Sequence, residues 1–155
     1  MAYRNNQPKE LKKAKTDLPY NEQAEQAVLG LALLSRECIF TVFSNLDEED
    51  FYNGKHRLIY HAIKNLFDKD SIVDVLTVTE ELMNMKELES VGGVEYLQQC
   101  SDMMVALSSV DYYINIVKDQ AVLRRLIQSC RDIDYKFLNA EIDNVNDFIA
   151  ESEVL

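Results

Sequence analysis

Residues Ser109 to Phe137 read SVDYYINIVKDQAVLRRLIQSCRDIDYKF, a run with no proline and no glycine. Nothing in it breaks a helix, and at about 1.5 Å per residue that helix is roughly 40 Å long. Stepping 100° per residue puts Val110, Tyr113, Ile114, Val117 and Ala121 on one face. Leu123, Leu126, Cys130, Ile133 and Phe137 fall on the roughly opposite face. A helix whose apolar stripe changes sides has two different partners. The segment after it, with Val145, Phe148, Ile149 and Leu155, supplies one partner as the return arm of an αα-hairpin. That arm is too short and too acidic to cover the whole surface, so apolar area remains for another chain. The pattern predicts self-association through Leu123, Leu126, Cys130, Ile133, Phe137, Phe148 and Ile149.

Upstream, helix signals follow one another from Pro19 onward. Asn21 is a candidate cap for a helix with Ala24, Ala27, Val28, Leu31 and Leu34 on its inner face. Ile39, Val42, Phe43 and Leu46 continue the pattern, and Asp47 precedes the acidic turn Glu48–Glu49–Asp50, where anionic side chains suit a helix start. After Gly54 the residues Leu58, Ile59, Ala62, Ile63, Leu66 and Phe67 recur on one face. Thr77 with Glu80 has capping-box spacing, as do Ser108 and Asp111 at the start of the long helix. Gly92–Gly93 punctuates the chain before a short helix with Val94, Tyr96 and Leu97. Glycine and proline together number six, where average usage would give roughly 19 in a chain of this length. So few breakers leave little room for strands and turns. The expected fold is all-α: an arm over 1–18, a globular helical head over 19–107 and a helical hairpin over 108–155.

Composition narrows the class of function. Of 155 residues, 47% are apolar and 28% charged, a globular mixture with no run of about 18 apolar residues to span a membrane. Three cysteines, Cys38, Cys100 and Cys130, are odd in number and widely spaced, which points to reduced thiols in a cytoplasmic setting. As separate thiols they read as small buried apolar residues. The net charge is −11. Residues 1–20 carry five basic side chains against Glu10 and Asp17, a local +3, and the remaining 135 residues carry −14. Nucleic-acid binding rests on clustered Lys and Arg, and the body offers only the pair Arg124–Arg125. Little direct DNA binding is expected. The basic arm reads as a solvated tail, with contact to nucleic acid as its second reading.

The residues carry no recognisable catalytic constellation. At Gly54–Lys55, the one Gly-Lys pair, a phosphate-binding loop fails because Glu49 stands where its first glycine belongs and His56 where Ser or Thr would hold magnesium. His56 and His61 lie five apart on one helix and diverge by about 140°, so they share no metal face. Each reads as a packed or surface histidine. Glu48–Glu49–Asp50 and Glu80–Glu81 sit at helix starts, where cap and dipole roles explain them. Tyr96, Tyr112 and Tyr113 stand among acids rather than bases, which favours core or protein-interface roles over base stacking. Met83, Met85, Met103 and Met104 read as gap-filling core or as an adaptable surface.

Several strings together resemble the opening of the DnaB-type replicative helicases. They are PYNEQAEQAVLG from Pro19 to Gly30; Asp50–Phe51–Tyr52 with His56, Arg57, Ile59 and Tyr60; and DVLTVTEEL from Asp74 to Leu82. Leu88 with Val91–Gly92–Gly93 and Tyr96–Leu97, then Tyr112–Tyr113 with Ile116–Val117, then VLRRLI from Val122 to Ile127 follow in the family's order. The resemblance covers about residues 19–155. It implies an N-terminal collar domain that pairs through its hairpins into a trimer of dimers, stopping before the linker and the RecA-like motor. In the whole protein, an ATP-dependent 5′–3′ DNA helicase, that motor would carry ATP and Mg. It also implies docking of the primase C-terminal domain on Gln23, Tyr96, Arg124, Ile127 and Ile133, and contact with a helicase loader. The chain departs from the family pattern in the Asn21 cap, in a loop over Asp102–Ser109 without proline, and in an acidic stretch over 132–153. A free-standing helical adaptor, such as a loader or a primase C-terminal domain, would share the composition and the two-faced helix.

No cofactor is expected in this chain. Lacking a phosphate-cradling loop, it should show no nucleotide turnover above background in a coupled phosphate-release assay.

Overall fold

The computed structural model describes residues 17–139 and 142–154, and among these residues every regular element is a helix. Helix α1 (Glu22–Leu34) starts where Asn21, in extended backbone, accepts the Ala24 amide on its side chain. Such a cap satisfies one of the amides that a helix start leaves unpaired. Ser35 ends α1 and caps α2 (Arg36–Asn45). The Asp50 carboxylate accepts the Asp47 amide at 2.9 Å and closes the 3₁₀ turn Glu48–Asp50. Asn53 then caps α3 (Gly54–Asp68) through the Lys55 amide at 3.1 Å. The acidic turn and the Asn21 cap thus do local structural work, as their positions predict.

Two expected caps differ. Helix α4 (Val75–Asn84) is capped by Asp74, which accepts the Thr77 amide while the Thr77 hydroxyl accepts the Asp74 amide. Thr77 is therefore the inner partner of the box and not its cap, and Glu80 has no part in it. A carboxylate at the cap position also meets the positive end of the helix dipole, which a threonine does not. The left-handed pair Gly92 and Gly93, at φ 97° and 74°, leads into α5 (Gly93–Ser101). The Ser108–Asp111 box is replaced by a 3₁₀ turn over Leu107–Ser109 that runs directly into α6 (Val110–Leu138). Ser108 lies inside that turn, and Ser109, which precedes α6, makes no side-chain cap. Helix α7 (Val145–Val154) folds back as the short arm of the hairpin, with Lys136 reaching Glu151 at 3.3 Å.

Helix α1 is the hub. It packs against α2, α3, α5 and α6 together, so it buries Leu29, Gly30, Ala32 and Leu33 as well as Ala24, Ala27, Val28 and Leu31. Leu34, expected on the inner face, is 53% exposed because it lies in the last turn beyond those neighbours. A helix apolar all round belongs inside a core. Phe51, Ile39, Ile59, Ile63, Leu82 and Leu97 close around it. Tyr60 is also inside; its hydroxyl donates to the Leu46 carbonyl, and burial, aided by Asp47, Asp50 and Glu48, pushes its pKa up to about 12.

The long helix divides as its pattern predicts. Val110, Ile114, Val117 and Ala121 are buried against the head. Beyond Arg124 no residue of α6 is buried, and Leu126 and Phe137 are 60% and 66% exposed. Cys38 and Cys100 are buried, but Cys130 is exposed, so the reading of all three as buried apolar residues holds for two. Cys130 lies on the second face, where the head no longer covers the helix.

Gly30 is the tightest point of the hub. A Cβ there would meet the Cys100 carbonyl oxygen at 2.0 Å, so α1 and α5 approach each other only because the side chain is absent. Gly54 has open space around it. Gly30→Ala should lower stability in urea titration by about 1–3 kcal/mol, whereas Gly54→Ala should be neutral or stabilising by up to about 1 kcal/mol.

Candidate functional site

A chain of buried polar groups crosses the head. Glu25 points inward from α1 and is 1% exposed. Its carboxylate accepts the Tyr52 amide at 2.7 Å, the Asn53 amide at 3.3 Å and the Nδ1 of His56, which is fully buried. A carboxylate at Nδ1 fixes the proton there in the neutral ring, leaving Nε2 to accept. The Tyr96 hydroxyl lies 2.7 Å from that Nε2 and accepts from the Gln26 side chain at 2.8 Å. The imidazole stacks on the Tyr96 ring at an interplanar angle of 18°, and the Lys55 ammonium sits 3.8 Å from the centroid of that ring.

This environment sets the ionisation of its members. Burial raises the Tyr96 pKa, Cys100 adds to the effect, and Gln26 and Lys55 oppose it. For Lys55, burial works against the charge, but Tyr96 and Glu22 outweigh it and the net shift is upward. Burial pushes the Cys100 thiol up to about 11, which makes it a poor nucleophile at neutral pH. Among the described residues no cluster of His, Cys, Asp and Glu has the makings of a metal site. The arrangement orders a fold and presents a surface.

The turn after the 3₁₀ segment ties this chain to α6. Arg124, 8% exposed, donates Nη1 to the Pro19 carbonyl at 2.9 Å and Nη2 to the Asp50 carbonyl. Burial lowers its pKa, with Glu25 and Asp50 favouring the charge and Arg57 and Arg125 opposing it. Its guanidinium lies 5.5 Å over the Tyr52 ring, and Tyr52 stacks on Tyr20. Arg57 donates Nε to the Phe51 carbonyl at 2.7 Å, and Arg125 pairs with Asp50 at 2.7 Å.

The structure brings two of the five expected docking residues together. Tyr96 and Arg124 belong to one connected network through Glu25 and Tyr52, and both direct their polar groups into the head. Gln23 is exposed on α1, with its neighbour Gln26 making the contact to Tyr96. Ile127 and Ile133 are half-buried along α6. Ile127 and Leu123 floor a groove of 600 Å³ whose other side is Asp17, Leu18, Pro19 and Tyr20. Of the residues expected to pair subunits, Leu123, Leu126, Cys130, Phe137 and Ile149 are exposed, and Ile133 and Phe148 half-buried. His61 is a surface residue against Glu48 at 3.1 Å. Tyr113 is half-buried against the core, while Tyr112 is exposed.

Sequence reasoning missed Glu25 and His56 as a pair. The signal was present: Val28, Leu29 and Ala32 follow Glu25 at three, four and seven residues, and all are core. Ile59, Tyr60 and Ile63 do the same after His56. An ionisable residue in register with a buried stripe must have a buried partner.

Residues 17–119 match the sequence model of the family described as the DnaB-like helicase N terminal domain. The "Replicative DNA helicase DnaB" of Geobacillus stearothermophilus is 40% identical over 115 residues, which are 74% of this chain and 25% of that relative. Among solved structures, the N-terminal domain of DnaB helicase from Mycobacterium tuberculosis superposes with a TM-score of 0.82 at 32% identity, covering 89% of this chain and 96% of that one. A DnaB-like replicative helicase described with its interactions with primase gives 0.65 at 26% identity, covering 84% and 34%. The chain belongs to the DnaB-like helicase N-terminal domain family. It spans about a quarter of the length of the Geobacillus relative. These matches do not favour a free-standing adaptor.

Glu25→Ala would strand the Tyr52 and Asn53 amides and His56 in the interior. It should cost about 3 kcal/mol or more in urea titration, well above the cost of Gln23→Ala on the surface.

Proposed function

We propose that this domain is the collar of a hexameric replicative helicase, pairing subunits through the hairpin over 108–155 and docking primase beside it. The observation that carries the reading is the second face of α6. Leu123, Leu126 and Phe137 are 45%, 60% and 66% exposed on a helix that runs past the head. Exposed apolar residues in line along one helix fit burial against a second copy. Helix α7 covers only part of this face, since Ile149 is itself 49% exposed. The trimer of dimers of the whole ring would use the same hairpin.

Primase docking is the second half of the proposal. Tyr96, Arg124, Ile127 and Ile133, with Gln23 at the rim, carry it, and the solved relative described with primase supports it. A helicase loader is a further partner of the same collar. In the whole protein the adjoining motor would bind ATP and Mg and move along DNA in the cytoplasm, with the collar contributing little direct DNA contact. The net charge of −14 over residues 21–155 fits that division of work.

Leu126→Asp or Ile133→Asp should weaken the dimer by about tenfold or more, read as a shift toward monomer mass in light scattering while helicity is kept. A wild-type chain that stays strictly monomeric at hundreds of micromolar would refute pairing through this face.

A further inference from the structure

Residues 17–20 take a fixed path across α6. Arg124 holds the Pro19 carbonyl at 2.9 Å, and the Tyr20 ring lies flat on Tyr52 at 4.4 Å with 12° between planes. Tyr52 in turn lies under the Arg124 guanidinium, and its amide is held by Glu25. The segment therefore stands as a wall, opposite Leu123 and Ile127, and encloses the 600 Å³ groove between them. Among the described residues, Asp17 is the one charged residue lining it.

We infer that Leu18–Pro19–Tyr20 forms one wall of the primase dock, and that Arg124 is a positioning residue that holds this wall rather than a contact to the partner. This rests on the docking reading above. Arg124 is 8% exposed, both of its terminal nitrogens are bonded to carbonyls, and one of its faces is against Tyr52. Little of it is left for another molecule. Ile127, by contrast, opens into the groove.

The occupant is an apolar helix of the primase C-terminal domain with a basic residue at one end. The floor and wall are aliphatic and aromatic, which suits one or two turns of apolar side chains, and Asp17 at the rim suits the basic flank. The groove lies at the middle of α6, at Leu123 and Ile127, where the helix leaves the head. The exposed face suited to a second copy extends beyond it, through Cys130 to Phe137. Leu123 joins the two regions without merging them.

The test uses the full chain and the cognate primase C-terminal domain, with affinity from calorimetry, helicity from circular dichroism and dimer mass from light scattering. The double variant Leu18→Ala/Tyr20→Ala leaves Arg124 and the core intact and should weaken primase capture about tenfold, with helicity and dimer mass kept. Arg124→Gln should weaken capture on its own, yet add nothing in the Leu18→Ala/Tyr20→Ala background, because it acts through the missing wall. Equal losses in both backgrounds would make Arg124 a direct contact and overturn its positioning role. Normal capture by the wall variant while Ile127→Asp loses it would overturn the inference and leave the docking reading standing. Normal capture by Ile127→Asp as well would remove the docking reading itself. Loss of dimer mass with capture unchanged would assign the groove to a second copy, against the inference.

Discussion

The carboxylate of Glu25 is the constraint on which the rest of the head depends. It sits in α1, which packs against four other helices, and it is 1% exposed. A charge in that position is tolerable only with its lone pairs filled, and three donors fill them: two successive amides of a turn and an imidazole from α3. The turn over Asp50–Asn53 has its shape because those amides must face Glu25. His56 is oriented by the same carboxylate, and Tyr96 is oriented by His56. One buried acid thereby fixes the relative positions of α1, α3 and α5.

The opposite side of that turn has the complementary requirement. Its amides face Glu25, so its carbonyls face the other way and need donors. Arginines supply them: Arg57 to Phe51 and Arg124 to Asp50, with Arg125 on the Asp50 side chain. Of the Arg124–Arg125 pair, too small for a basic patch in the sequence, Arg124 is turned toward backbone carbonyls and Arg125 toward the Asp50 carboxylate. In a body with net charge −14, three guanidiniums thus gather around one turn, each with a carbonyl or carboxylate partner.

Much of the architecture is legible in the sequence because it depends on period. The change of side along α6 follows from counting at 100° per residue, and the burial of Val110, Ile114, Val117 and Ala121 follows the first of the two faces. Asn21 and the acidic turn at Glu48–Asp50 are legible for the same reason, since caps are local. The Thr77 box is misread because two overlapping pairs share the spacing, and only Asp74 brings a charge to the helix start. Cys130 is misread because a thiol is apolar enough for either face, and the helix has left the head by that position. The network is hidden for a different reason. Glu25, His56 and Tyr96 meet across separations of 31 and 40 residues, and no local pattern names a partner so distant. The proposed docking residues stand between these cases: their identities come from family resemblance, while the inward turn of Tyr96 and Arg124 is a property of tertiary packing alone.

Helix α6 is continuous from the core to its free end, with its last buried residue at Arg124 and its end at Leu138. The free portion of 14 residues is a rigid lever about 21 Å long, so a tilt of about 10° at the anchored end carries the tip roughly 4 Å. The fulcrum is the same turn that Glu25 and the arginines hold. A small rocking of the head against this joint would swing the pairing face through an ångström-scale arc without melting any helix. In the proposed ring, subunits built this way would change spacing while each keeps its own interior unchanged.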